Sequence, residues 1–294
     1  MDDRIVNGVK MTRTILGIFK LRIGFVIMLT ALAGYAVTPG AGPGGVQLTV
    51  LALAVLVASA SAGAFNQYVE YDIDRRMART RGRAFATGAL PHHPAWLLLI
   101  GFLLAASVAA AWLATNAFAA LYVFLGAFFY AVIYTVWLKR RTWLNIVIGG
   151  LAGSFSVLAG ATAVNTAPGA MPLLLALILF LWTPPHFWSL AIANRADYAA
   201  AGVPMLPVVV GDARAARIVF VSALALVGAS LLPALFGAGP LYLAAAVLGG
   251  AWFLIKAGQL ARAPDRKTAM ASFFASLLQL TLLLTAALAE ALIF

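Results

Sequence analysis

Apolar residues in this chain run in long unbroken stretches divided by short polar turns, not in the two-residue alternation of membrane strands. A helix needs about 20 mostly apolar residues to cross the hydrocarbon of a bilayer. Nine stretches meet that length, near 21–39, 47–65, 95–114, 117–137, 144–166, 171–193, 216–236, 240–262 and 268–293. In lipid every backbone N–H and C=O must be paired inside the protein, and a helix does this within its own segment. The pattern predicts an all-α polytopic membrane helix bundle with nine transmembrane helices, residues 1–294 forming one transmembrane domain. The first stretch lacks a small-residue cleavage site and is expected to stay as a span.

Composition agrees. Of 294 residues, 64% are hydrophobic and 10% charged, more apolar surface than one soluble core can hide. There is no cysteine, which excludes disulfides, thiolate metal sites and a cysteine nucleophile. A net charge of +11 would suggest nucleic acid in a soluble protein, but here the basic residues sort by topology. With the N-terminus in the cytoplasm, Arg4, Lys10, Arg13, Lys20 and Arg22 lie inside, as do Arg75, Arg76, Arg79, Arg81 and Arg83 after the second span. Lys139, Arg140 and Arg141 follow, then Arg195, Arg214 and Arg217, then Lys256, Arg262, Arg266 and Lys267. The turns near 40–46, 115–116, 167–170 and 237–239 hold no Lys or Arg. All 20 basic residues fall on the cytoplasmic side, as the positive-inside bias requires, and nucleic acid is not needed. This order leaves the C-terminus outside.

The two longest inside loops, about 66–94 and 194–215, carry Glu70, Asp72, Asp74, Asp197 and Asp212, so chemistry is sought at the cytoplasmic mouth. Their similar character hints at two related four-helix halves. If the second span continues as a helix, Asn66, Glu70 and Asp74 recur every four residues and share one face, drifting about 40° per step; Asp72 points elsewhere. Oxygen ligands at that spacing suit Mg²⁺ completed by substrate phosphates, and the arginines that follow offer forked donors to the remaining phosphate oxygens. The arrangement suits ionisation of an allylic diphosphate inside an apolar bundle that keeps water from the cation. The plainer alternative is a solvated loop in which acids and arginines pair with each other.

On the sixth span, Thr183-Pro184-Pro185-His186 places two prolines in an apolar helix, where a break or kink lining a cavity is expected. His186 lies roughly 10 Å inside the cytoplasmic end. Its imidazole is suited to ligating a haem iron or acting as a base, with Trp182, Phe187 and Trp188 as flat walls; the alternative is a packing hydrogen bond. Arg195, Asp197 and Tyr198 form a weaker polar cluster. Tyr130 and Tyr134, one turn apart, are candidates for facing the cavity or for a packing stripe.

Taken together, Lys20 and Arg22, the segment Asn66 to Arg83, Tyr134 to Thr142 with Asn145 to Gly150, Thr183 to Trp188, and Asp197-Tyr198 with Ala201 to Val208 resemble the UbiA superfamily of intramembrane prenyltransferases, specifically its protoheme IX farnesyltransferase branch. The resemblance covers nearly the whole chain and implies a nine-helix bundle in the bacterial inner membrane. It implies transfer of farnesyl from farnesyl diphosphate to a vinyl group of haem B with Mg²⁺, giving haem O, with haem A synthase or a terminal oxidase assembly factor as possible partners. On this resemblance Asn66, Glu70 and Asp74 hold Mg²⁺-diphosphate, and Lys20, Arg22, Arg79, Arg83, Lys139, Arg195 and Asp197 contact phosphate or propionate. His186, Trp182 and Trp188 meet the haem. The chain departs from the common pattern at Glu70, Ala84, Ser156-Val157 and Asn194, and His186 leads where many members have a second aspartate-rich motif.

Two other readings stand beside this one: a UbiA relative acting on a quinone, aromatic or other tetrapyrrole precursor, and a transporter, against which the gathering of carboxylates at one mouth argues. Gly40 to Gly45 matches a nucleotide-loop spacing but follows no strand and reads as a turn. Gly149 and Gly153 fit a small-xxx-small packing pattern, and Pro91-His92-His93-Pro94 reads as a loop.

Overall fold

The long apolar runs all form helices, because only helices satisfy the backbone within each run. A computed structural model describes the backbone of residues 3–293 and the side chains of residues 11–293. Asp2 lies outside the described residues, and so do the side chains of Asp3, Arg4 and Lys10. The long helices are α1 (Asp3–Ile18), α2 (Leu21–Ala36), α3 (Gly45–Val69), α6 (Ala95–Ala114), α7 (Ala117–Phe128), α9 (Leu151–Val164), α10 (Ala170–Ala193), α13 (Asp212–Leu231), α14 (Pro240–Arg262) and α15 (Arg266–Ile293). Short helices α4 (Tyr71–Arg76) and α5 (Ala84–Thr87) follow α3, α8 (Asn145–Gly149) leads into α9, and α11 (Arg195–Ala200) and α12 (Leu206–Val210) follow α10. Among the described residues eight helices are long and apolar enough to cross a membrane, and the count is nine if the pair Met11–Ile18 and Leu21–Ala36, bent by 43°, makes one span.

Each crossing packs on the next in sequence, and α15 closes the ring against α14 and α2. The order repeats: in both halves the second crossing is followed by two short helices, α4 and α5 after α3, α11 and α12 after α10. Contacts between helices are made largely by small residues. Ala31, Ala58, Ala62, Ala119, Ala127 and Ala159 form one buried cluster, as expected where dispersion and close backbone approach replace the hydrophobic effect. Large apolar side chains such as Leu98, Trp112 and Leu113 face outward.

Three expectations change here. α10 runs unbroken through Pro184 and Pro185, so the prolines do not split the helix. The α3 helix does not continue through Asp74: it ends at Val69, and Glu70 joins it to α4 with φ −94° and ψ 11°. The four-residue register survives because Glu70 N–H donates to Asn66 C=O and Asp74 N–H to Glu70 C=O. Finally, the Gly149 and Gly153 pair is only half used: a Cβ on Gly149 would come within 3.0 Å of the Tyr134 side chain, whereas Gly153 meets nothing within 4 Å. The backbone-to-backbone contact lies where α2 crosses α9: a Cβ on Gly34 would strike the Val157 backbone, and one on Gly160 the Ala31 carbonyl. Gly40 sits in the turn between α2 and α3, and His92 stacks on Tyr68 with Tyr71 tilted against it, its Nε2 2.9 Å from the Tyr68 carbonyl.

Candidate active site

At the end of the bundle where the basic loops lie, a cavity of about 1010 Å³ opens among α2, α3, α7, α10 and α15. That is at the top of the roughly 300–1,000 Å³ usual for a pocket holding one small ligand. Asn66, Glu70, Asp74, Lys20, Arg22, Arg79, Arg83, Lys139, Tyr130, Tyr134, Trp182 and His186 all line it. The second-span oxygens and the sixth-span imidazole therefore share one chamber.

Each of the three oxygen-bearing residues is buried and held by a base. Lys20 Nζ donates to Asn66 Oδ1 at 2.6 Å, Lys139 Nζ to Glu70 Oε2 at 2.5 Å, and Arg83 Nη1 to both Asp74 oxygens at 2.9 Å. Asn66 is oriented by Thr135. The Thr135 hydroxyl donates to the Tyr130 carbonyl, so its oxygen accepts from Asn66 Nδ2 and the amide oxygen turns to Lys20. Lys20 is the one non-glycine residue with positive φ among those described (49°), a backbone cost tolerated where function or surrounding structure fixes it.

Lys139 reaches Glu70 because α7 continues as a π-helix over Phe129–Leu138. In an α-helix residues five apart diverge by about 140°; the wider turn brings Thr135 over Tyr130 and Lys139 over Tyr134. The two tyrosine rings stack at 5.7 Å with planes 10° apart. Lys20 Nζ lies 5.8 Å from the first ring centre and Lys139 Nζ 5.5 Å from the second.

The donor set fits a hard divalent ion. Glu70 Oε1 is buried without a hydrogen-bond partner, and the other oxygens are held by cations that a phosphate would attract. No group of three His, Cys, Asp or Glu residues among those described is placed to hold a metal by itself. Two carboxylates and an amide oxygen completed by substrate oxygens is a usual arrangement for Mg²⁺.

Deeper in the cavity, His186 stacks on Trp182 (4.0 Å, 20°) and on Phe273 of α15 (4.4 Å, 26°), with Phe187 edge-on. His186 Nδ1 is 2.7 Å from Ser276 Oγ, and Trp182 Nε1 donates to the Ser276 carbonyl at 2.8 Å.

Three expected site residues lie elsewhere. Trp188 is two residues past His186, about 200° around the helix, and packs instead with Trp143 (6.1 Å) in the cluster of Ile146, Met205 and Leu206. Arg195 pairs with Asp212 at 3.2 Å on the surface. Asp197 lies in the first turn of α11, which starts anew after Asn194, and only Tyr198 from that helix lines the cavity. Asp72 does point away, into a two-pronged pair with Arg140 at 2.7 and 3.0 Å. Residues that spacing did not single out are Gln67, whose Nε2 donates to the Gly17 and Ile18 carbonyls at 3.1 Å, together with Thr135, Phe273 and Ser276. These act across distant segments and leave no local pattern.

The UbiA prenyltransferase family model matches residues 27–279. The chain belongs to this family. It is 58% identical to "Protoheme IX farnesyltransferase 2" of Paramagnetospirillum magneticum over 96% of this chain and 98% of that one. Against "Protoheme IX farnesyltransferase" of Parvibaculum lavamentivorans the identity is 40%, over 97% and 90%. The family fold is seen in solved structures. A UbiA homolog from Archaeoglobus fulgidus bound to DMAPP and Mg²⁺ superposes with a TM-score of 0.72 at 15% identity, covering 91% of this chain and 98% of that one. A structure described for digeranylgeranylglyceryl phosphate synthase gives 0.78 at 18%, covering 97% and 100%.

Proposed function

We propose that this protein transfers a farnesyl group from farnesyl diphosphate to a vinyl group of haem B, making haem O. The observation that carries this reading is a single apolar chamber holding both a carboxylate-and-base cluster and an aromatic-sandwiched imidazole, in a chain 58% identical to a protein named for that reaction. Asn66, Glu70 and Asp74 would hold Mg²⁺, which supplies charge neutralisation of the diphosphate. Lys20, Lys139 and Arg83 then turn from these oxygens to phosphate oxygens, joined by Arg79 and Arg22 at the mouth. Stabilised there, the leaving group takes the electron pair of the allylic C–O bond. Tyr130 and Tyr134, which line the chamber, would offer π electrons to the developing cation, and apolar walls keep water from it until the vinyl π electrons close the carbon–carbon bond. This leaves a cation on the vinyl carbon attached to the porphyrin; water captures it and gives up a proton to solvent, forming the hydroxyl of haem O. The cluster faces the cytoplasm of a bacterial inner membrane, on the side to which the basic loops assign it.

Purified protein given farnesyl diphosphate, haem B and Mg²⁺ is expected to yield haem O and diphosphate by chromatography. Unchanged haem B alongside prenylation of a quinone or aromatic acceptor would assign the chain to another branch of its family.

A further inference from the structure

The ring of His186 is held on every side but one. Trp182 and Phe273 cover its two faces, Phe187 meets its edge, and Nδ1 lies 2.7 Å from Ser276 Oγ. The remaining nitrogen, Nε2, is given no hydrogen-bond partner among the described residues, and the residue, 4% exposed, lines the cavity. Ser276 decides what that nitrogen can do. Its hydroxyl oxygen is also 2.7 Å from the Phe273 carbonyl, which can only accept, so the one hydroxyl hydrogen goes there. The oxygen is left to accept from Nδ1, which must carry the imidazole proton. Nε2 then presents a lone pair to the chamber.

We infer that Ser276 is a positioning residue for the haem substrate: it fixes the Nδ1-protonated form of His186 so that Nε2 coordinates the haem iron. This rests on the haem-acceptor reading above. A hydrogen bond accepted from the distal N–H of a ligating imidazole fixes the ring and raises its basicity. The aromatic sandwich prevents rotation, so the Nε2–iron axis sets where the porphyrin edge, and hence a vinyl group, lies relative to the diphosphate cluster. Ser276 touches neither substrate; it acts through His186.

The experiment uses the full chain in detergent, titrated with haem B without farnesyl diphosphate. Wild type is expected to show an iron–imidazole stretching band in the ferrous form by resonance Raman, and His186→Ala to lose it. Ser276→Ala should keep the fold, because Trp182 bonds the backbone of residue 276 rather than its side chain. It should shift the band to lower frequency and weaken haem binding about 10-fold, with Ser276→Thr restoring both. A Ser276→Ala protein whose band and affinity match wild type overturns the inference. So does a wild type that makes haem O without showing the band, and in that case the acceptor reading survives. Failure of that reading looks different: no haem binding, with turnover of another acceptor.

Discussion

At the scale of single residues, the site is a set of oxygen–cation pairs in a dry setting. Burying an ion costs several kcal/mol and is repaid only by close, hydrogen-bonded partners, which Lys20, Lys139 and Arg83 supply. Asp74 and Asp72, two positions apart, therefore make opposite predictions. Asp74→Asn removes an oxygen charge from the cluster and frees Arg83, which is 24% exposed and able to reach water. Haem O formation should fall by about 100-fold or more while membrane insertion and yield are unchanged; normal haem O yield would remove Asp74 from the metal site. Asp72→Asn breaks only the surface pair with Arg140, worth about 0–1 kcal/mol, and should leave turnover within about twofold. Partial burial opposes ionisation of Asp72, but hydrogen bonds from Arg140 and the backbone outweigh it and hold the carboxyl below its ordinary value. That contribution is present above the unfolded carboxylate pKa and is lost as pH falls through the lowered one. Activity of Asp72→Asn should thus track wild type from pH 5 to 8, and a divergence there would show that the pair does more. The carboxylates were legible in the sequence because they lie four apart. Which base holds which oxygen was not: Lys20 and Lys139 are 46 and 69 positions from the Asn66 and Glu70 oxygens they hold.

At the scale of helices, apolar length announced the spans, and local chemistry was less informative. Pro184 and Pro185 suggested a broken helix, yet α10 stays continuous. A proline leaves the carbonyl of an earlier turn without its N–H partner, a loss that neighbouring helices and side chains can absorb in a bundle. The π segment of α7 was invisible, since one wider turn changes no residue type, and yet it carries Thr135 and Lys139 into the site. The glycines give the sharpest test. Gly34 and Gly160 let α2 and α9 touch backbone to backbone; Gly160 follows Ser156 at a small-xxx-small spacing, but that spacing does not say which helix it meets. Gly160→Ala pushes a methyl into the Ala31 carbonyl and should cost about 1–3 kcal/mol, in the range of core overpacking. Gly101→Ala on α6 meets nothing within 4 Å and replaces a poor helix former by the best. Thermal unfolding in detergent should separate the two, the first melting lower than wild type and the second no lower. Equal melting would mean that the crossing can open without penalty.

At the scale of the molecule, function depends on which side of the membrane the cluster faces, since a charged diphosphate does not cross lipid. The partition of Lys and Arg favours the cytoplasm: each loop on the cluster's side carries them and the turns opposite do not. The count of crossings enters directly, because one more or one fewer would send later loops to the wrong side; the helices support it only if the bent pair α1–α2 crosses once. The chain contains no cysteine, so single cysteines can report orientation without background. Arg81 and Ala167 are both exposed and lie at opposite ends of the bundle's connections, in the loop after α3 and the turn before α10. A membrane-impermeant maleimide should label Arg81→Cys in inverted vesicles but not in intact spheroplasts, and Ala167→Cys in spheroplasts. Labelling of both from the same side would require a different number of crossings between them. Reversed labelling would turn the cluster outward, away from any cytoplasmic supply of prenyl diphosphate, and the proposed reaction would lose its substrate.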